Sequence, residues 1–150
     1  MFASDEQRQL NIFIDKFSPD VAARTRVELG RMRALLPCAI EMVYDNYNAL
    51  AIGFGPSERP SEAIFSLAVF PRWVTLCFLQ GARIADPDKL LKGKGSQVRH
   101  IRLINPDVLL SAEVRTLMLA ALDRARVPVS PYTKHRVIIK SISAKQRPRR

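Results

Sequence analysis

Residues 64–103 read IFSLAVFPRWVTLCFLQGARIADPDKLLKGKGSQVRHIRL, and the fold turns on this stretch. Ala63–Phe70 and Trp73–Leu79 are two nearly continuous apolar runs separated only by Pro71-Arg72, a connection of hairpin length. Their composition suits central antiparallel strands, covered on one face and partly sheltered on the other. Val98–Leu103 alternates weakly with period two and reads as an edge strand that carries Arg99 outward. Between them lie a turn-rich segment, with a turn of helix expected at Pro87-Asp88-Lys89, and the basic glycine loop Lys92-Gly93-Lys94-Gly95-Ser96.

Upstream, Glu41–Tyr47 and Ala49–Phe54 supply two more strand-like runs, joined by the turn chemistry of Asn46-Tyr47-Asn48. Two helices precede them. Ser4 caps the first, whose buried face is Leu10, Phe13, Ile14 and Phe17. Ser18-Pro19-Asp20 starts the second, which carries Ala22, Thr25, Leu29, Met32 and Leu36 inward and stops at Pro37. Its arginines straddle that stripe, Arg24 and Arg31 on one flank and Arg26 and Arg33 on the other, and read as solvated flanks. Downstream, Ser111 caps a regular amphipathic helix ending before Pro128. Residues 136–142 have strand-forming composition without a clear assignment, and residues 144–150 read as disordered. The expected fold is α+β: a mainly antiparallel sheet of about five strands, with two N-terminal helices and one C-terminal helix packed on it. Residues 1–130 form the domain, and residues 131–150 are a basic, partly disordered C-terminal extension.

The 150 residues are enough for one domain with a proper core, and no apolar run is long enough for a membrane span. The N-terminus carries acids where a signal peptide needs cations, so a cytoplasmic location is expected. The net charge is +10, but residues 131–150 hold seven cations and no acid, leaving +3 for the rest of the chain. That tail is therefore the place for any nucleic-acid contact, although it lacks interleaved aromatics for base stacking. Cys38 and Cys77, the only cysteines, stand among apolar neighbours in no zinc spacing and read as buried reduced thiols.

Catalytic signatures are missing, and the chain reads as a non-catalytic binding protein. Gly93-Lys94-Gly95-Ser96 invites comparison with a P-loop, yet Lys94 is followed by Gly95, Asp88 stands where the first glycine belongs, and a strand follows where a helix should. A looser role survives: Lys92, Lys94, Arg99 and the loop amides can hold a small anion. His100 reads as a structural residue of the strand. Glu41 and Asp45 lie four apart on one strand, hence on one face, which is the spacing of a conceivable acid–base pair.

The residues Gly81, Ala82, Asp86, Pro87, Leu90, Leu91, Gly93, Gly95, Val98, Arg99, His100, Ile101 and Leu103 together resemble the YdhG-like domain family, which is largely of unknown function. The resemblance extends over about residues 15–126. The chain is accordingly read as a small binding module of this type, with an anionic small molecule or a protein as partner. The basic, glycine-rich turns beside the strand pair make Glu41, Trp73, Lys92, Lys94, Arg99 and His100 its candidate ligand-binding residues. The family is also similar in broad architecture to frataxin-like sandwiches, which implies iron as a possible cargo. Asp5, Glu6, Asp15 and Asp20 are the carboxylates in the matching location, though arginines interleave them and no shared motif carries them over.

Overall fold

The computed structural model describes residues 3–150. Three helices, α1 (Asp5–Asp15), α2 (Pro19–Leu35) and α3 (Ala112–Arg124), pack on a six-stranded sheet. The strands are β1 (Ile40–Asp45), β2 (Leu50–Gly55), β3 (Phe65–Val69), β4 (Val74–Phe78), β5 (Arg99–Arg102) and β6 (Arg136–Ile142), in the order β5-β4-β3-β2-β1-β6. Ser4, Ser18 and Ser111 cap the helices, their hydroxyls accepting from the backbone N–H groups of Gln7, Val21 and Val114.

Register divides the sheet into two unlike faces. Val43, Ile52, Leu67 and Leu76 are cross-strand neighbours in one row, and Phe54, Phe65 and Phe78 form the next. These side chains are at most 1% exposed and share one core with Leu10, Phe17, Leu29, Met32, Leu117 and Met118, so the helices lie on this face. The opposite face is built from small residues: Ala51 and Gly53 on β2, Ser66 and Ala68 on β3, Thr75 and Cys77 on β4. Ile40 and Met42 point that way and stand outside the helix-side core.

The sheet has one strand more than expected, and it is parallel to its neighbour. β1 to β5 alternate in direction, so β5 runs the same way as β1. The chain then returns through α3 and re-enters beside β1 in β1's own direction, a long crossover of the kind parallel pairing requires. Val137 and Ile139 face the helix side, and a bulge interrupts the pairing between Val43 and Tyr44.

The sheet therefore continues beyond residue 130, and the last residues fold back onto it instead of forming the disordered tail expected from composition. The Ser143 N–H donates to Asp45 O at 2.8 Å and the Arg147 N–H to Tyr47 O at 2.9 Å. Arg149 is 5% exposed. A buried carboxylate, Asp45, supplies the counter-charge that composition alone does not reveal.

Candidate functional site

The expected site residues do not meet. Glu41 is fully buried near the start of β1, where Arg33 grips it with two hydrogen bonds of 2.8 Å from Nε and Nη2. His135 Nε2 lies 2.7 Å from the same carboxylate. Three strands separate β1 from β5, which carries Arg99 and His100. Trp73 sits at the other end of the sheet, in the β3–β4 hairpin, with the Arg102 guanidinium 4.1 Å above its ring. Lys92 and Lys94 are exposed, and Arg99 turns its guanidinium back to the carbonyls of Gly95 and Val98. The glycine loop thus spends its one well-placed guanidinium on its own backbone.

The residues of the YdhG-like resemblance have structural duties instead. A Cβ on Gly81 would fall 2.6 Å from the Arg99 Cβ, so only glycine permits this contact between the loop and β5. Asp86 accepts from the N–H groups of Leu90 and Leu91 at 2.9 and 2.8 Å, which fixes the Asp-Pro turn. Gly93 has φ of 119°, open to glycine and rarely to others. Lys92 and His100 exchange backbone hydrogen bonds of 2.8 and 2.9 Å, extending the sheet past β5 by one bridge.

Glu41 and Asp45 share a face, as their spacing predicts, but each is locked in its own ion-pair network. Asp45, also fully buried, receives Lys16 Nζ at 2.6 Å and Arg149 Nη2 at 2.9 Å. Burial pushes its carboxyl up, but the hydrogen bonds from Lys16, Gln146 and Arg149 outweigh this and hold it below the ordinary value of 3.8. The arginine flanks of α2 prove to be staples: Arg24 donates to Leu103 O at 2.5 Å, Arg31 to Pro106 O, and Arg26 pairs with Asp15. Between Arg24 and Arg31, Glu28 is 3% exposed with one carboxylate oxygen unpartnered, and desolvation raises its pKa to about 7. Cys38 and Cys77 are free thiols, half-buried and on separate elements, with the Cys77 thiol pushed up to about 11 by burial.

One cleft gathers unspent cations. It has a volume of about 610 Å³ and lies between the 3-10 turn at Pro60–Glu62, the segment from Leu79 to Ile84, Gln97–Val98 and the end of α3. Ile64, Leu79, Ile84 and Val127 give it an apolar wall. Arg83, Arg124 and Arg126 also line it, and among the described residues none of the three forms an ion pair. Its single acid, Glu62, is occupied by the Ser57 hydroxyl at 2.7 Å. The Gly81–Arg99 contact and a 2.9 Å hydrogen bond from Ala82 N–H to Gln97 O set one side. Part of the positive charge of Arg124 offsets the carbonyl end of α3, whereas Arg83 and Arg126 have no such duty. Sequence reading passed over this cleft because Arg83 lies some forty residues from Arg124, and nothing local links them.

Other chemistries find less support in the geometry. Among the described residues no group of three or more His, Cys, Asp and Glu side chains gathers around a point that a metal could occupy. Asp5 and Asp15 are paired with Arg8 and Arg26, so the carboxylates proposed for iron do not form a cluster for a hard cation. Of the tail cations only Arg149 is buried, on Asp45; Arg150 donates to Lys16 O and Arg147 lies over the Tyr47 ring while both stay exposed. Lys134, Lys140 and Lys145 form no ion pair among the described residues. Among the described residues no helix is long and apolar enough to cross a membrane.

No family model, curated protein or solved structure matches the chain. The class the coordinates define is an α+β protein with helices on one face of a mostly antiparallel six-stranded sheet.

Proposed function

We propose that this protein is a non-catalytic, cytoplasmic binding module of the YdhG-like type that holds a small organic anion in the cleft beside α3. The observation that carries the reading is the set of three guanidiniums, Arg83, Arg124 and Arg126, without acidic partners around an apolar-walled cleft. A cleft of this size falls within the range of small-molecule sites, about 300–1,000 Å³. Arginine presents a planar fork to carboxylate or phosphate, and the apolar wall accommodates the body of the same molecule. The ligand class is thus an amphiphilic carboxylate or phosphate monoester.

A thermal-shift series tests this, using octanoate, benzoate, phenyl phosphate and inorganic phosphate. The two-part anions raise the melting temperature, and inorganic phosphate does so less. Replacement of Arg83 and Arg126 by Gln removes the shift, while Lys92→Gln/Lys94→Gln leaves it intact. No stabilisation by any of the organic anions, or a shift insensitive to the arginines, would remove the proposal.

A further inference from the structure

The two edges of the sheet are finished differently. At β5 the chain caps its own edge through the Lys92–His100 bridge. At β6, among the described residues, no further strand follows: its sheet partner is β1, on its inner side. One side of this seven-residue strand is left without a strand partner, so the N–H and C=O groups of alternate residues face outward, in a strand rich in Val and Ile. Such an edge is a template for pairing with another chain.

A cleft of about 560 Å³ runs beside this edge, with the beginning of α1 as its other wall. Five consecutive residues, His135 to Ile139, line it. Successive strand residues point to opposite faces, so a cleft touched by all five follows the backbone edge and not one face of the sheet. Five residues of strand span roughly 16 Å at about 3.3 Å each. The capping Ser4 and Glu6 and Gln9 of α1 form the far wall. A groove between an edge strand and a helix is the setting in which an extended peptide adds itself to a sheet.

Charge selects the occupant. From residue 124 to the C-terminus the chain has no acid, whereas β6 carries Arg136 and Lys140 and is preceded by Lys134. Arg136 is shared with the exposed Glu58, at 2.7 Å, and neither Lys134 nor Lys140 forms an ion pair among the described residues. Pairing β6 with β6 of a second copy would gather Lys134, Arg136 and Lys140 of both strands along one ladder with no acid among them, which is unfavourable. Glu6, the one acid lining the groove, is on α1, the opposite wall. We infer that the β6 edge receives an extended acidic peptide of another protein as a seventh strand. Main-chain hydrogen bonds to β6 hold it, and its carboxylates face Lys134 and Lys140. This surface is separate from the anion cleft beside α3.

Fluorescence anisotropy on the full chain tests the inference with labelled seven-residue peptides. One alternates Val and Glu, a second alternates Val and Lys, and a third is the Glu peptide N-methylated at alternate amides. The Glu peptide binds at least tenfold more tightly than the Lys peptide, and N-methylation abolishes binding. Lys134→Gln/Lys140→Gln weakens the Glu peptide at least fivefold with the melting temperature unchanged. Amide hydrogen exchange provides a readout independent of any variant, since the peptide slows exchange within residues 136–142. Equal binding of Glu and Lys peptides, or exchange in β6 unaffected by saturating peptide, would overturn the inference. So would sedimentation showing a dimer that the Glu peptide fails to dissociate, because a second copy would then occupy the edge.

Discussion

Arg149 Nη2 and Asp45 Oδ1 lie 2.9 Å apart, joined across 104 positions of sequence, and neither side chain is more than 4% exposed. The pair closes the fold. It ties the end of the chain to the end of β1, and the guanidinium also donates to Asn46 O at 2.6 Å. Removal of one member of a buried pair leaves an undercompensated charge, which commonly costs about 3–5 kcal/mol. Lys16 still reaches Asp45, so Arg149→Ala is expected to lose about 3 kcal/mol, read from urea unfolding.

The same pair sets acid sensitivity. The Asp45 carboxyl titrates lower in the folded protein than its ordinary value of 3.8. Its contribution is therefore complete above the unfolded value and is lost as pH falls through the lower folded value. Arg149→Ala takes away one of the lowering hydrogen bonds, so the folded value rises and the acid-dependent part of stability shrinks. Unfolding free energies between pH 2 and 5 measure this as a shallower slope for the variant than for the wild type.

Glu28 acts in the opposite sense. Its folded value is raised from 4.5 to about 7, so the folded state keeps a proton that the unfolded chain has released. Stability contributed at this site falls as pH rises between those two values and stays low above them. Glu28→Gln cannot ionise and is expected to be more stable than the wild type at pH 8 by about 1–3 kcal/mol. The difference narrows towards pH 4.5, as thermal or urea unfolding across that range would show.

Gly81→Ala probes the loop that carries the YdhG-like resemblance. The new methyl meets the Arg99 Cβ at 2.6 Å and the Arg99 N at 3.1 Å, and backbone cannot yield cheaply there. A loss of about 1–3 kcal/mol is expected, as for other overpacked sites. Hydrogen exchange should localise it, with faster exchange at Ala82 and along β5.

Much of this architecture is legible in the chain itself, because serine caps, strand-like runs and a two-residue hairpin are local signals. The resemblance motif was visible too, but its residues serve loop geometry: Gly81 for close approach, Asp86 for a turn, Gly93 for a positive φ. Long-range charge pairing was hidden. Glu41 and Asp45 are recognisable as one face of a strand, yet their partners Arg33, His135, Lys16 and Arg149 come from four separate places. Composition likewise marks residues 144–150 as a solvated tail, since nothing in those residues announces a buried acid waiting for them. Arg83, Arg124 and Arg126 meet only after α3 has packed.

The central claim is that anion recognition belongs to the cleft beside α3 and not to the glycine loop. Heteronuclear spectra of the arginine Nε–Hε groups, recorded while octanoate is titrated into the intact protein, test it most directly. The expected result is saturable movement of the Arg83, Arg124 and Arg126 resonances, with Arg99 and Arg102 stationary. Movement confined to Arg99, or no saturable movement in the three cleft arginines, would contradict it.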